Sequence, residues 1–126
     1  MKRLLWTVAL LATVVFTMDA QTAYSRLWSK VQKAEKEGKP QTAANYLREL
    51  EQKTIAAGDD LEHLAVAERL YDDLSKYNWK EANAYYPVYS GLSRKVMTDS
   101  LDSYIVKYKD HPRNMMLLFS QMQNHN

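Results

Sequence analysis

The sequence has no cysteine and few of the residues that interrupt helices. Among its 126 residues there are three glycines and three prolines. The absence of cysteine excludes a disulfide framework, a cysteine-based zinc site, a thiol nucleophile and a lipid-modified cysteine anchor. The scarcity of glycine and proline argues against a β-sandwich or β-barrel, because those folds need many tight turns. The length leaves room for one domain at most.

The charge of the chain is nearly balanced, with 17 basic and 15 acidic residues. A protein that binds nucleic acid usually carries a basic face, so this balance indicates no nucleic-acid partner. The three scattered glycines also provide no glycine-rich loop that could hold a phosphate group.

The first twenty residues have the layout of a secretory signal peptide. A basic start precedes an apolar run from Leu4 to Phe16, and the chain turns polar before Gln21. This run is shorter than the roughly 20 residues that a membrane-spanning helix requires. We therefore expect cleavage of residues 1–20, export to the periplasm, the cell envelope or the medium, and no membrane span afterwards. An uncleaved anchor is the alternative.

Apolar residues recur at helical spacing along the rest of the chain, which predicts an all-α domain over residues 21–126. The pattern over residues 24–57 predicts an antiparallel helical hairpin. Gly38 is placed to end its first helix and Pro40 to begin its second. The size of this unit is typical of a tetratricopeptide-like repeat, and a small helical bundle is the alternative.

The middle of the chain carries one clear helix signal and one interruption. Asp59 and Glu62 form an Asp-x-x-Glu capping pattern, which predicts a helix over residues 60–77. The pattern then weakens and Pro87 follows, so residues 78–90 are predicted to form an aromatic loop.

The C-terminal part of the chain restores the helical spacing. Two helices are predicted there, at residues 92–109 and 113–123. The polar run Thr98-Asp99-Ser100 could interrupt the first of them, because these residue types favour helix caps.

No side-chain pattern predicts a catalytic residue, a cofactor or a metal site. His63 lacks the second histidine of a zinc-protease motif, His111 lies in a helix-ending turn, and His125 is one residue from the end. The pair Asp59-Asp60 is explained by helix capping, and the pair Asp72-Asp73 by the solvent face of a helix. We therefore expect a protein that is not an enzyme and that has no cofactor and no bound metal.

Two apolar segments are candidates for contact with a partner. Aromatic side chains crowd around Pro87, and residues 115–119 are five consecutive apolar residues that cannot all face one core. The candidate partner-binding residues are Trp79, Tyr85, Tyr86, Tyr89, Met115, Met116, Leu118 and Phe119. For the aromatic group, packing over the helices of a small core is the alternative.

Directly after the predicted signal peptide, the first helix and the turn that follows carry a distinctive set of residues: Tyr24, Leu27, Trp28, Val31, Ala34, Glu35, Gly38, Pro40, Thr42 and Ala43. This pattern resembles the start of the large exported alpha-2-macroglobulin-like proteins of Bacteroidetes-type bacteria. The resemblance is clear over residues 24–57 and faint over residues 60–77.

The resemblance implies an envelope protein whose full-length relatives carry many β-sandwich macroglobulin domains and restrain proteases. Some of those relatives use a Cys–Gln thioester, which a chain without cysteine lacks. No functional residue of the family can be carried over to this sequence. The chain is expected to be a fragment, a truncated product or a short relative with only the helical module.

These observations predict a non-catalytic, exported helical module for protein–protein interaction. Its partner would be a protein, a peptide or downstream domains of the same polypeptide, and self-association is possible. The alternative is a free-standing small-ligand binder or accessory enzyme with a site near Trp79–Tyr89, in which His63, Trp79, Tyr85 and Tyr86 would converge on one pocket.

Overall fold

The computed structural model describes residues 22–124 of the chain. This part consists of helices and short connections and contains no strand, which confirms the predicted all-α class. The predicted signal peptide, its cleavage site and His125 lie outside the described residues. The elements are α1 (22–36), α2 (Pro40–Ala57), α3 (Asp60–Tyr77), α4 (Trp79–Arg94), a π-helical segment (Lys95–Asp99), α5 (Leu101–Lys107) and α6 (Asn114–Asn124).

Two glycines make the tight turns of the first three helices possible. Gly38 follows α1 with φ 72°, and Gly58 follows α2 with φ 66°. This left-handed conformation is one that residues with a Cβ adopt only with strain. Pro40 opens α2, where its missing N–H would have had no partner within the helix. The connections are therefore short enough to make α1, α2 and α3 antiparallel neighbours.

The first four helices form two hairpins that lie side by side. Four side-chain contacts join residues 33 or 34 positions apart, two between α1 and α3 and two between α2 and α4. Each helix of the first hairpin thus lies beside its counterpart in the second, and the described chain is a small helical bundle. The four pairs are Trp28–Glu62, Glu35–Arg69, Arg48–Glu81 and Glu51–Tyr85.

The predicted aromatic loop at 78–90 is wrong, because Trp79–Arg94 is a helix. Asn78 caps it by accepting a hydrogen bond from the backbone N–H of Glu81 at 3.1 Å. Pro87 has no N–H to donate to the carbonyl of Asn83, four positions earlier. Both residues are exposed, so water can bind that carbonyl instead. The apolar pattern is weak because Ala82 is the one buried residue of this helix.

The predicted helix at 92–109 is divided in the structure. Residues 95–99 form a π-helical segment, and Ser100 separates it from the seven-residue helix α5. A π-helical turn leaves some carbonyls without their usual partner. The Ser120 hydroxyl of α6 donates to the carbonyl of Met97 at 2.7 Å. The interruption at 95–100 therefore overlaps the polar run at 98–100, and a hydrogen bond from α6 stabilises it.

The core consists of two clusters of buried apolar side chains. The first joins α1, α2, α3 and α4, and includes the fully buried residues Leu47, Leu50 and Leu70. The second packs α5, α6 and the π-helical segment against the N-terminal half of α3. Its members are Leu61, Leu64, Val96, Leu101, Tyr104, Tyr108 and Leu117. Helix α3 contributes to both clusters, and so connects the hairpins to the C-terminal helices.

A buried carboxylate before α3 connects the two parts of the fold. Asp59 is fully buried and caps α3 by accepting the backbone N–H of Glu62 at 3.1 Å. Both of its oxygens also lie 3.1 Å from Nε2 of His111, in the turn before α6. Nδ1 of His111 accepts the backbone N–H of Arg113, so Nε2 is the nitrogen that donates to Asp59.

The next acidic residues of this turn reach other helices. Glu62 is 3% exposed and accepts hydrogen bonds from Nε1 of Trp28 at 2.9 Å and Nε of Arg113 at 2.6 Å. Asp60 accepts a hydrogen bond from the Tyr104 hydroxyl at 2.5 Å. The partial positive charge at a helix N-terminus stabilises carboxylates in this position.

Two capping residues allow the role of Asp59 to be tested. Asp59→Ala removes a cap and leaves His111 buried without its partner, so we expect a loss of about 3 kcal/mol of unfolding free energy. Asn78→Ala removes a cap of the same 3.1 Å geometry on α4, with an expected loss of about 1 kcal/mol. Urea denaturation measures both values, and equal losses would contradict the long-range role of Asp59.

Candidate interaction surfaces

An open groove of about 840 Å³ runs across one face of the bundle. It is bounded by α1, α3, α4 and the start of α6. We call it the aromatic groove. Its lining residues include Trp28, Arg69, Tyr71, Tyr89, Arg113 and Met116. It brings together Tyr89 and Met116, one from each of the two segments predicted to contact a partner.

Three tyrosines form a cluster at the α4 side of this groove. The ring of Tyr71 lies 5.3 Å from that of Tyr86 and 5.9 Å from that of Tyr89, and the second pair is stacked. Tyr86 and Tyr89 meet edge to face at 6.2 Å. Tyr86 is nevertheless 48% exposed. The cluster therefore combines features of both predicted roles. Tyr71 and Tyr89 are partly buried, as packing over the core requires, whereas Tyr86 is exposed and could contact a partner.

The two arginines of the groove are held by carboxylates of the chain itself. Arg69 donates two hydrogen bonds to Glu35, at 2.8 and 2.5 Å. Arg113 pairs with Glu62, and its guanidinium lies 5.1 Å from the ring of Trp28. These bonds fix the positions of both cations and neutralise their charge.

Helix α6 exposes a continuous apolar stripe. Met115, Leu118 and Phe119 are exposed as expected for a partner-binding segment, and the structure adds Met122, at 63%. These four residues have the i, i+3, i+4, i+7 spacing of one helix face, and we call them the α6 face. Met116 is partly buried against the second cluster, and Leu117 is 1% exposed. Met122 was not predicted from the sequence, although it lies seven positions after Met115 and so belongs to the same helix face.

The remaining aromatic candidates do not share one surface. Trp79 is 64% exposed at the start of α4, whereas Tyr85 is partly buried and its hydroxyl donates to Glu51. Nε2 of His63 lies 3.2 Å from the same carboxylate. Burial raises the pKa of Glu51, but hydrogen bonds from His63 and Tyr85, together with the nearby Arg48, leave that pKa below its ordinary value. Burial and the charge of Glu51 raise the pKa of Tyr85.

The alternative function, a small-ligand binder, required the side chains of His63, Trp79, Tyr85 and Tyr86 to converge on one pocket. His63 and Tyr85 do meet at Glu51, but Tyr86 packs against Tyr71 and Trp79 is largely in solvent. Neither His63 nor Tyr85 lines the aromatic groove. Within residues 22–124 there is also no group of three histidine or carboxylate side chains arranged to hold a metal ion.

The expectation that Asp72 and Asp73 both face solvent is wrong for Asp73. Asp72 is exposed, but the Asp73 side chain is completely buried, with Nζ of Lys76 3.3 Å from Oδ1. Oδ2 of Asp73 has no hydrogen-bond donor among the described residues. Burial and the neighbouring Glu35 carboxylate raise the pKa of Asp73 to about 7. A protonated Asp73 can donate to Glu35, the residue that holds Arg69 in the groove.

Comparison with known proteins finds no family model that matches the chain, and no similar curated protein or solved structure. Among the described helices, none combines the length and apolar character required to cross a membrane.

The Asp73 carboxyl predicts a specific pH dependence of stability. Its pKa rises from 3.8 when unfolded to about 7 when folded, so between those values the folded state holds a proton that the unfolded state releases. This contribution to the unfolding free energy is therefore lost as the pH rises through that window. Asp73→Asn is expected to remove this loss, and so to be more stable than wild type at pH 8.

The control is Asp72→Asn, which makes the same substitution at the exposed neighbouring position. Urea denaturation between about pH 4 and pH 8 measures the pH dependence of all three proteins. We expect Asp72→Asn to follow wild type and Asp73→Asn to show a flatter curve. Parallel curves for wild type and Asp73→Asn would contradict the assignment.

Proposed function

We propose that this protein is a non-catalytic, exported helical module that binds other proteins. The observation that carries the proposal is the α6 face, on which Met115, Leu118, Phe119 and Met122 are between 37% and 63% exposed. Single exposed apolar residues are ordinary on a protein surface, but a contiguous apolar stripe favours contact with another protein.

The composition of α6 favours a second copy of the chain as one occupant of this face. No residue of α6 is charged, so two copies can approach without like-charge repulsion. Four side chains on an 11-residue helix cover less area than the roughly 800 Å² per partner of a standard interface. The expected association is therefore weak and dependent on concentration.

Export and a place in the cell envelope belong to the same proposal. They are supported by the signal-peptide layout of residues 1–20 and by the resemblance of residues 24–57 to the helical start of macroglobulin-like envelope proteins. The structure has the helical hairpin that this resemblance implies, with Gly38 and Pro40 at its turn. Restraint of a protease would be the role of a larger assembly in which this module supplies contacts.

The test removes apolar surface from the α6 face without changing the core. Phe119→Ser and Met122→Ser replace exposed residues, so we expect both variants to fold and the weak dimer of the wild type to be lost in the double variant. Sedimentation velocity across a range of protein concentrations measures the association.

The matched control is Val106→Ser on α5, which removes an apolar side chain that is 74% exposed but lies outside the α6 face. This control is expected to dimerise as wild type does. A wild-type protein that stays monomeric up to about 1 mM, or a control that loses association equally, would contradict the proposal.

A further inference from the structure

The aromatic groove has more negative than positive charge once the ion pairs of its arginines are counted. Its two cations, Arg69 and Arg113, are each paired with a carboxylate outside the lining, Glu35 and Glu62. The lining also contains two carboxylates of its own. The groove therefore has a net negative character, although the chain as a whole is slightly basic.

The two lining carboxylates are Glu68 and Asp72, one helical turn apart on α3. Both are exposed, and within residues 22–124 neither takes part in an ion pair. Arg69 lies near Asp72, but its guanidinium is committed to Glu35 by two hydrogen bonds. Like charges at this spacing repel each other, so a cation supplied from outside would relieve an unfavourable interaction.

Aromatic rings lie beside these carboxylates. Glu68 and Tyr89 both line the groove. Burial raises the pKa of Tyr89, and the charge of Glu68 raises it further. Tyr71 stacks on Tyr89 and lines the groove with it. Aromatic faces attract the side chains of lysine and arginine. Met116 supplies an apolar surface at the other side of the groove.

We propose that the aromatic groove binds a basic segment of a protein partner, with a lysine or arginine side chain placed against Tyr71 and Tyr89 and paired with Glu68 and Asp72. An apolar residue of the same segment would contact Met116. A volume of about 840 Å³ accommodates a few side chains. The negative character of the groove disfavours a phosphate-bearing ligand.

This inference rests on the proposed function, because it supposes that the protein is an interaction module, but it uses a surface different from the α6 face. The groove is built from α1, α3, α4 and Met116, whereas the α6 face consists of Met115, Leu118, Phe119 and Met122. The two surfaces can therefore be tested independently.

The probe is a dye-labelled heptapeptide that contains arginine and leucine, together with a matched peptide in which glutamate replaces arginine. Fluorescence anisotropy measures binding of each peptide to the purified protein. We expect the arginine peptide to bind, the glutamate peptide not to bind, and the affinity to fall as salt is added. Free spermidine, which has the charge without the apolar residue, is expected to compete poorly.

The decisive variant is Glu68→Gln combined with Asp72→Asn, which removes two exposed carboxylates from the groove. Loss of two exposed ion pairs is expected to weaken binding of the arginine peptide about tenfold. The matched control is Glu49→Gln with Asp102→Asn, which changes the charge equally at two exposed positions outside the groove. This control is expected to bind as wild type does.

Three results would overturn the groove assignment. They are no binding of the arginine peptide up to about 1 mM, equal weakening in the Glu49/Asp102 control, and competition by spermidine as strong as by unlabelled peptide. Sedimentation of the wild type separates this failure from that of the proposed function. A wild type that dimerises but does not bind the arginine peptide contradicts the groove assignment alone, whereas a monomeric wild type contradicts the α6 proposal whatever the groove binds.

Discussion

The structure depends on the acidic turn that begins α3. Asp59 and Glu62 are both buried, and each uses its carboxylate to bind a group more than 30 positions away. Breaking a buried hydrogen-bonded pair costs more than losing an exposed one, because the remaining partner stays desolvated. His111 and Arg113, and with them the start of α6, are therefore held against the first hairpin by α3. Tyr104, Tyr108 and Lys95 make further polar contacts with Asp60 of the same turn.

Both proposed surfaces follow from this arrangement. Arg113 lies over Trp28 because Glu62 accepts hydrogen bonds from both side chains. That contact forms one end of the aromatic groove. With Leu117 buried in the second cluster, the opposite side of α6 is left facing outward. One set of buried carboxylates thus determines where the groove ends and which apolar face remains uncovered.

Local signals in the sequence were sufficient for the first half of the fold and insufficient for the second. Gly38, Pro40 and the Asp59–Glu62 cap predict the helix boundaries of α1, α2 and α3, since these effects act within a few residues. Asn78 and Glu81 make the same kind of cap on α4. Pro87 nevertheless led to the prediction of a loop, because the sequence does not show that this proline is exposed. An exposed carbonyl that can be hydrated makes that proline tolerable.

The contacts between distant residues could not be predicted, because no local pattern encodes them. The Asp59–His111 bond spans 52 positions, and the burial of Asp73 depends on how α1 packs against α3. Consecutive apolar residues at 115–119 did predict exposure of part of α6, because one helix face cannot bury all five. The aromatic groove could not be predicted from the sequence, because its walls come from four different helices.

A double-mutant cycle on Asp59 and His111 tests the central role of the acidic turn most directly. The unfolding free energies of wild type, Asp59→Ala, His111→Ala and the double variant are measured by urea denaturation. A coupling energy of about 2 kcal/mol or more is expected, because the bond is buried and removal of either partner leaves the other unpaired. Additive losses, with a coupling below about 0.5 kcal/mol, would contradict the account.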